Sequence, residues 1–299
     1  MKVFVTGASG FVGTAVVKEL LAAGHQVLGL ARSAAAAEEL AASGVEVYHG
    51  DLANPESLKP AVLASDGVIH LGFIHDFSRF KEMCELDAKV IETIGTALAG
   101  SQKPFVITSA VGVIKKSGLI TENDRAENSL NPRVATENAA DKLAEQGIRV
   151  AIVRLSPAVH DDDDQHGFVP LLIRLAREKG VSGYINEGTN LWPAINRKDA
   201  AKLFLLALEK NEDNGARYHA VAEQGIEVKK IAEAIARQLK IPAVSIPTAA
   251  VESHFTWFTH FASFDILASS NTTRKALGWH PTHSSLMEDL EGSVYFPSA

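Results

Sequence analysis

Eight residues, Thr6-Gly7-Ala8-Ser9-Gly10-Phe11-Val12-Gly13, narrow the folds open to this chain more than any other stretch. They follow the apolar run Val3–Thr6 and lead into a helical pattern at Val12–Ala23. Glycines at this spacing are informative only between a strand and a helix, and both flanks are present here. Gly7 permits a tight turn, Gly10 lets the backbone approach a pyrophosphate, and Gly13 lets the helix close on the sheet. The helix start then offers unpaired N–H groups and a partial positive charge to phosphates. This spacing predicts a dinucleotide site that includes Gly7, Ser9, Gly10, Phe11, Val12 and Gly13.

The rhythm beyond the loop agrees. Strands are predicted at Val3–Thr6, Gln26–Ala31, Val45–His49, Gly67–Leu71, Phe105–Thr108 and Val150–Leu155. Helices are predicted between them, at Val12–Ala23, Ala34–Ala42, Pro55–Ala64, Phe80–Ala99 and Val134–Gln146. Helix-length crossovers between buried strands require a parallel sheet covered on both faces. Right-handed crossovers make this an α/β, doubly wound (Rossmann) fold. After Leu155 the composition turns richer in Pro, Gly, Asp and His, with a helix at Val169–Lys179. Helix Lys198–Lys210 and strand Arg217–Ala222 read as a return to the sheet. The expected organisation is a dinucleotide-binding domain over 1–155, rejoined by 197–222, interleaved with a smaller substrate lobe made of 156–196 and 223–299.

The end of the second strand bears on the choice of cofactor. An NAD site usually has an acid there for the ribose 2′-hydroxyl, whereas this chain has Gly29-Leu30-Ala31-Arg32-Ser33. Arg32 matches a 2′-phosphate through its planar fork, and Ser33 adds a hydroxyl. NADP(H) is therefore favoured, with NAD(H) as the alternative. A net charge of −7 disfavours nucleic acid as a partner. One cysteine, Cys84, excludes an internal disulfide and suits a reducing compartment. With no signal-like start and no membrane-length apolar run, the expectation is a cytoplasmic protein without membrane partners, acting on a small molecule.

Other segments resemble the extended short-chain dehydrogenase/reductase family, the group of NAD-dependent epimerases and dehydratases. Besides the glycine loop, Gly50-Asp51-Leu52 is similar to its adenine-side turn, and Val68-Ile69-His70-Leu71-Gly72 to its strand end beside the ribose. Thr108-Ser109-Ala110 resembles its catalytic-serine strand. Arg154-Leu155-Ser156-Pro157, Arg197-Lys198-Asp199 and the tail Thr273–Pro281 match later landmarks. The resemblance adds Asp51, Leu52, Leu71 and Gly72 to the cofactor set and Ser109 to the catalytic set. It also implies a homodimer, paired through two long mid-sheet helices.

The resemblance implies a Tyr-x-x-x-Lys at the start of the helix before Val150–Leu155, where this chain reads Arg133-Val-Ala-Thr-Glu137. None of the four tyrosines, Tyr48, Tyr184, Tyr218 and Tyr295, begins such a motif. Arg133 stays protonated, so it is a candidate charge stabiliser and not a base. Glu137 is expected to be a solvated helix residue. His75, just past the fourth strand, titrates in a useful range and joins the catalytic candidates. Asp161–Asp164, flanked by His160 and His166, lacks the spacing of a calcium loop and is expected to be a solvated acidic loop, with no metal. His160 is expected at the nicotinamide end. The aromatic run His254–Phe261 is a candidate for the second lobe's core, a substrate pocket or a subunit contact. These features point first to an NADP(H)-dependent oxidoreductase acting on a small carbonyl or alcohol with nonstandard acid/base residues. The alternatives are a catalytically silent dinucleotide-binding sensor or interaction protein, and an epimerase or dehydratase.

Overall fold

The Val-, Ile- and Leu-rich runs form one seven-stranded sheet, all parallel, in a computed structural model that describes residues 1–126 and 130–296. Residues 297–299, the end of the expected small lobe, lie outside the described residues. The strands are β1 (Lys2–Thr6), β2 (Gln26–Ala31), β3 (Glu46–His49), β4 (Gly67–His70), β5 (Phe105–Ala110), β6 (Val150–Leu155) and β7 (Ala216–Ala220). Their order across the sheet is β3-β2-β1-β4-β5-β6-β7, so the winding reverses between β1 and β4. In open α/β sheets, ligands settle at such a reversal, beyond the carboxyl ends of the strands.

Both faces are covered, as unbroken apolar strands require. Helices Phe11–Ala22 and Arg197–Lys210 bring Val16, Leu20, Leu203 and Phe204 against Val3, Val5 and Val106. Helices Phe80–Leu98 and Val134–Glu145 bring Ile91, Ile94 and Leu143 against Phe4, Phe105 and Ile107. The single helix expected over Pro55–Ala64 is instead a 3-10 turn at Pro55–Leu58 followed by a short helix at Lys59–Leu63. Pro60 has no N–H and crowds the preceding turn, so it fits only in the first turn of a new helix.

A second layer stands over the carboxyl ends. It contains a three-stranded sheet of Glu223–Glu227, Leu191–Asn196 and Ala158–His160, and the parallel pair Ser182–Ile185 and Ala243–Ile246. Its core holds Trp192, Ile231, Ile235, Phe255, Phe258 and Leu286. Leu119–Ile120, from the stretch after β5, pairs with Leu267–Ala268 and ties this layer to the sheet. Among the described residues, no helix is long and apolar enough to cross a membrane.

Candidate active site

The glycine loop is shaped by close backbone approaches. Gly7 has φ +68°, and a Cβ there would lie 2.7 Å from the Gly72 nitrogen. A Cβ on Gly13 would lie 1.9 Å from the Gly7 oxygen. The Gly10 N–H donates to that same oxygen at 3.0 Å. Gly10 then starts helix Phe11–Ala22 with no side-chain cap and no acid in the first turn, which leaves the helix's positive end open. Gly72 donates its N–H to Thr6 Oγ1 at 3.1 Å and packs on Leu52, while Asp51 accepts from the Ala53 N–H. Ser9, Phe11 and Val12 are half-buried along the same rim, and Leu71 is half-buried at the end of β4. Arg32 is exposed just past β2 and forms no salt bridge among the described residues. Ser33 caps helix Ala34–Ala42, accepting from the Ala36 N–H. These backbone cradles fit a dinucleotide pyrophosphate, since side chains would fill them.

Two buried polar networks run from this rim under the helices. In the first, Thr6 Oγ1 pairs with His70 Nδ1 (2.7 Å) and His70 Nε2 with Asp87 Oδ1 (3.1 Å). The Asp87 Oδ2 atom accepts from Arg133 Nη1 (2.9 Å) and Thr136 Oγ1 (2.6 Å). Burial alone would raise the Asp87 carboxyl, but Arg133 and His70 hold it below its ordinary range. The Arg133 guanidinium also donates to the Thr108 carbonyl and lies 4.0 Å above the Phe73 ring. His75 also meets Phe73, edge to face, with ring centroids 5.2 Å apart. Its ring is exposed at the rim yet crowded, and desolvation followed by the Arg133 charge holds it below the ordinary histidine value.

The second network corrects the expectation for Glu137. It is buried, with 1% of its surface exposed. Arg154 grips it with two parallel bonds of 2.7 Å, Arg217 adds one of 3.3 Å, and Ser109 Oγ donates at 2.8 Å. Ser109, Arg154 and His219 lie side by side across β5, β6 and β7. One glutamate from the covering helix bonds Ser109 and Arg154 in this row and Arg217 on β7. Burial would raise the Glu137 carboxyl, but Arg154 and Arg217 outweigh it and hold it low. His219 accepts from Arg154 at 3.2 Å and is pushed down to about 4 by burial and that charge. Ser109, a catalytic candidate by resemblance, gives its hydroxyl to this network, and the residue is only 2% exposed.

A model of the NAD dependent epimerase/dehydratase family matches residues 3–221. The chain belongs to this family. Proteins of Schizosaccharomyces pombe and Saccharomyces cerevisiae, both described as uncharacterized, are 48% and 44% identical to it. The first match covers 99% of this chain and 100% of the relative, the second 98% and 99%. A 2-alkyl-3-oxoalkanoate reductase of Stenotrophomonas maltophilia is 31% identical over 70% of this chain and 66% of its own. Among solved structures, the UDP-glucuronic acid 4-epimerase of Bacillus cereus, in complex with UDP-glucuronic acid and NAD, matches with a TM-score of 0.76 at 18% identity. That match covers 99% of this chain and 98% of the other. The architecture is thus the Rossmann fold of the epimerase/dehydratase family.

Within this family member, further expectations change. Tyr48, Tyr218 and Tyr295 direct their hydroxyls to Ser57, Asn211 and Asp164, and Tyr184 lies in the edge strand Ser182–Ile185. His160 is not open at the nicotinamide end: it is fully buried, 2.6 Å from Asp289 on the C-terminal helix Leu286–Glu291. The acidic run is not a uniformly solvated loop. Asp161 is buried and accepts from Arg197 (3.2 Å) and Lys198 (2.9 Å), whereas Asp162 and Asp163 are exposed. Arg197 in turn donates to the Phe11 carbonyl and covers the Phe11 ring at 4.5 Å, so the acidic run braces the glycine loop from the second layer. The basic pair Arg197-Lys198 was the signal for this contact. The aromatic run divides: Phe255 and Phe258 are core, while Trp257 is 54% exposed. Arg79, one turn from His75, is exposed and paired with Glu82.

Proposed function

We propose that this chain is an NADP(H)-dependent oxidoreductase that interconverts a small carbonyl compound and its alcohol, using Arg133 and His75 at the reacting oxygen. The observation that carries the reading is their convergence on Phe73. That residue follows Gly72, which packs directly on the Gly7 turn. A charge stabiliser and a titratable ring thereby stand next to the cradle suited to a dinucleotide. The 31% identical reductase supports the same reaction class.

The test follows NADPH absorbance against a panel of aldehydes and ketones. His75→Ala and Arg133→Ala are each expected to lower kcat by about 100-fold, within the usual range for an acid/base group, while NADPH still binds. Because His75 titrates below its ordinary value, carbonyl reduction should quicken as pH falls below about 6.5, and this slope should vanish in His75→Ala. Unchanged turnover in both variants overturns the assignment.

Arg32 carries the cofactor preference. Arg32→Ala should weaken NADPH about 10- to 100-fold, the worth of a charge-assisted phosphate contact, and leave NADH affinity nearly unchanged. Calorimetric titration with both nucleotides decides it; parallel losses would remove the basis for NADP(H).

One observation favours a second reading, a dinucleotide sensor without turnover: Glu137, in the expected lysine position, is fully engaged in the buried framework. NADPH binding with no consumption across the panel would select that reading.

A further inference from the structure

We infer that the substrate end of the cleft selects carbonyl compounds bearing an aromatic or similarly flat apolar group, which packs on Phe77 and Trp257. The inference rests on the oxidoreductase reading and names its substrate class. Rings connect without a break from the proposed reacting site into the second layer. Arg133 covers Phe73, Phe73 meets His75 at 5.2 Å, and His75 meets Phe77 at 6.0 Å. Phe77 then stacks on Trp257 (5.0 Å, planes 23° apart) and meets Phe261 edge-on at 5.4 Å. Trp257 leaves 54% of its surface open, so the wall ends in an uncovered indole.

Two further observations support a ligand-binding role for this wall. Thr256 has φ +53° and ψ −128°, a conformation that a β-branched residue rarely adopts, and it immediately precedes Trp257. Strain of this kind persists where the surrounding structure enforces it, and it clusters at ligand clamps. Charge points the same way. Residues 251–268 contain no lysine or arginine, and the one arginine in 73–80, Arg79, is paired with Glu82. A nucleoside diphosphate would call for cationic partners, whereas a flat ring gains area and quadrupole contacts from such a wall.

The probes are 4-phenyl-2-butanone, 2-butanone and UDP-glucose, titrated by calorimetry into the full chain loaded with NADP+. Wild type should bind the phenyl ketone at least roughly 10-fold more tightly than 2-butanone, and UDP-glucose more weakly than the phenyl ketone. Trp257→Ala should remove most of that preference while leaving 2-butanone within about 2-fold, and Phe77→Leu should reduce it in part. Thermal unfolding checks that both variants remain folded. Equal binding of the two ketones, tighter binding of UDP-glucose, or an unchanged preference in Trp257→Ala each overturns the inference. So does a variant that only shifts a dimer to monomers in sedimentation, which would make the wall a subunit contact. Binding is read without turnover. A phenyl preference with no NADPH consumption would therefore uphold the wall and reject the oxidoreductase reading.

Discussion

Replacing Glu137 by alanine is expected to lower the unfolding free energy by about 3–5 kcal/mol, the usual cost of removing one partner from a buried ion pair. The carboxylate serves two guanidinium groups at once. Arg154 is fully buried and, among the described residues, would keep only its contact with His219, a neutral ring that cannot balance the charge. Arg217 would keep Asp141 and the Gly215 carbonyl and should suffer less. Glu137→Gln, which retains the shape but not the charge, should fall between wild type and alanine. Urea unfolding near pH 7 provides the measurement, and a loss below about 1 kcal/mol for Glu137→Ala would remove the network's structural role.

Acid adds an independent check with a definite sign. The folded Glu137 carboxyl lies below its ordinary value of 4.5, so its stabilisation is present above that value and is lost as pH falls through the folded one. His219 acts over a higher window. Its folded value of about 4 lies below the ordinary 6.5, so the unfolded chain takes up the proton first and stability falls as pH drops from 6.5 toward 4. The gap between wild type and Glu137→Ala should therefore hold through most of the histidine window and narrow only at its acid end, as pH falls below the ordinary carboxyl value of 4.5.

What could be read from the chain beforehand was local. The glycine loop, the apolar runs of the sheet and the crossover helices depend on spacing within some twenty residues, and each recurs in the structure close to its expected place. The interruption at Pro60 was equally local and could have been drawn from proline chemistry alone. Glu137 was different. A glutamate in a helix reads as solvated, and only partners 17 and 80 residues away make it a buried anion. Asp161 and His160 follow the same rule, with partners 36 and 129 residues distant. At the candidate site, the cradle was legible because backbone geometry demands glycine there. The engagement of Ser109 was not, because strand residues alternate in facing and the residue opposite Ser109 is supplied by another helix.

Gly13→Ala tests the cradle most severely. The added methyl would lie 1.9 Å from the Gly7 oxygen and 2.9 Å from the Gly7 carbonyl carbon, so something must move. Helix Phe11–Ala22 is poorly placed to yield, because Val16 and Leu20 fix it between the sheet and helix Arg197–Lys210. The loop therefore gives way. Its Gly7 oxygen also receives the Gly10 N–H, and Gly7 itself touches Gly72, so displacement spreads to both sides of the cradle. Overpacking of this kind costs about 1–3 kcal/mol of stability. The loss in binding should be larger in consequence: NADPH and NADH affinity should both drop by roughly 100-fold or more, about 2.7 kcal/mol. The comparison with Arg32→Ala carries the argument. A cradle for the pyrophosphate shared by both nucleotides predicts equal losses in Gly13→Ala, whereas a 2′-phosphate contact predicts a loss confined to NADPH in Arg32→Ala. Retained binding of either nucleotide by a folded Gly13→Ala variant would place the dinucleotide elsewhere than on this loop.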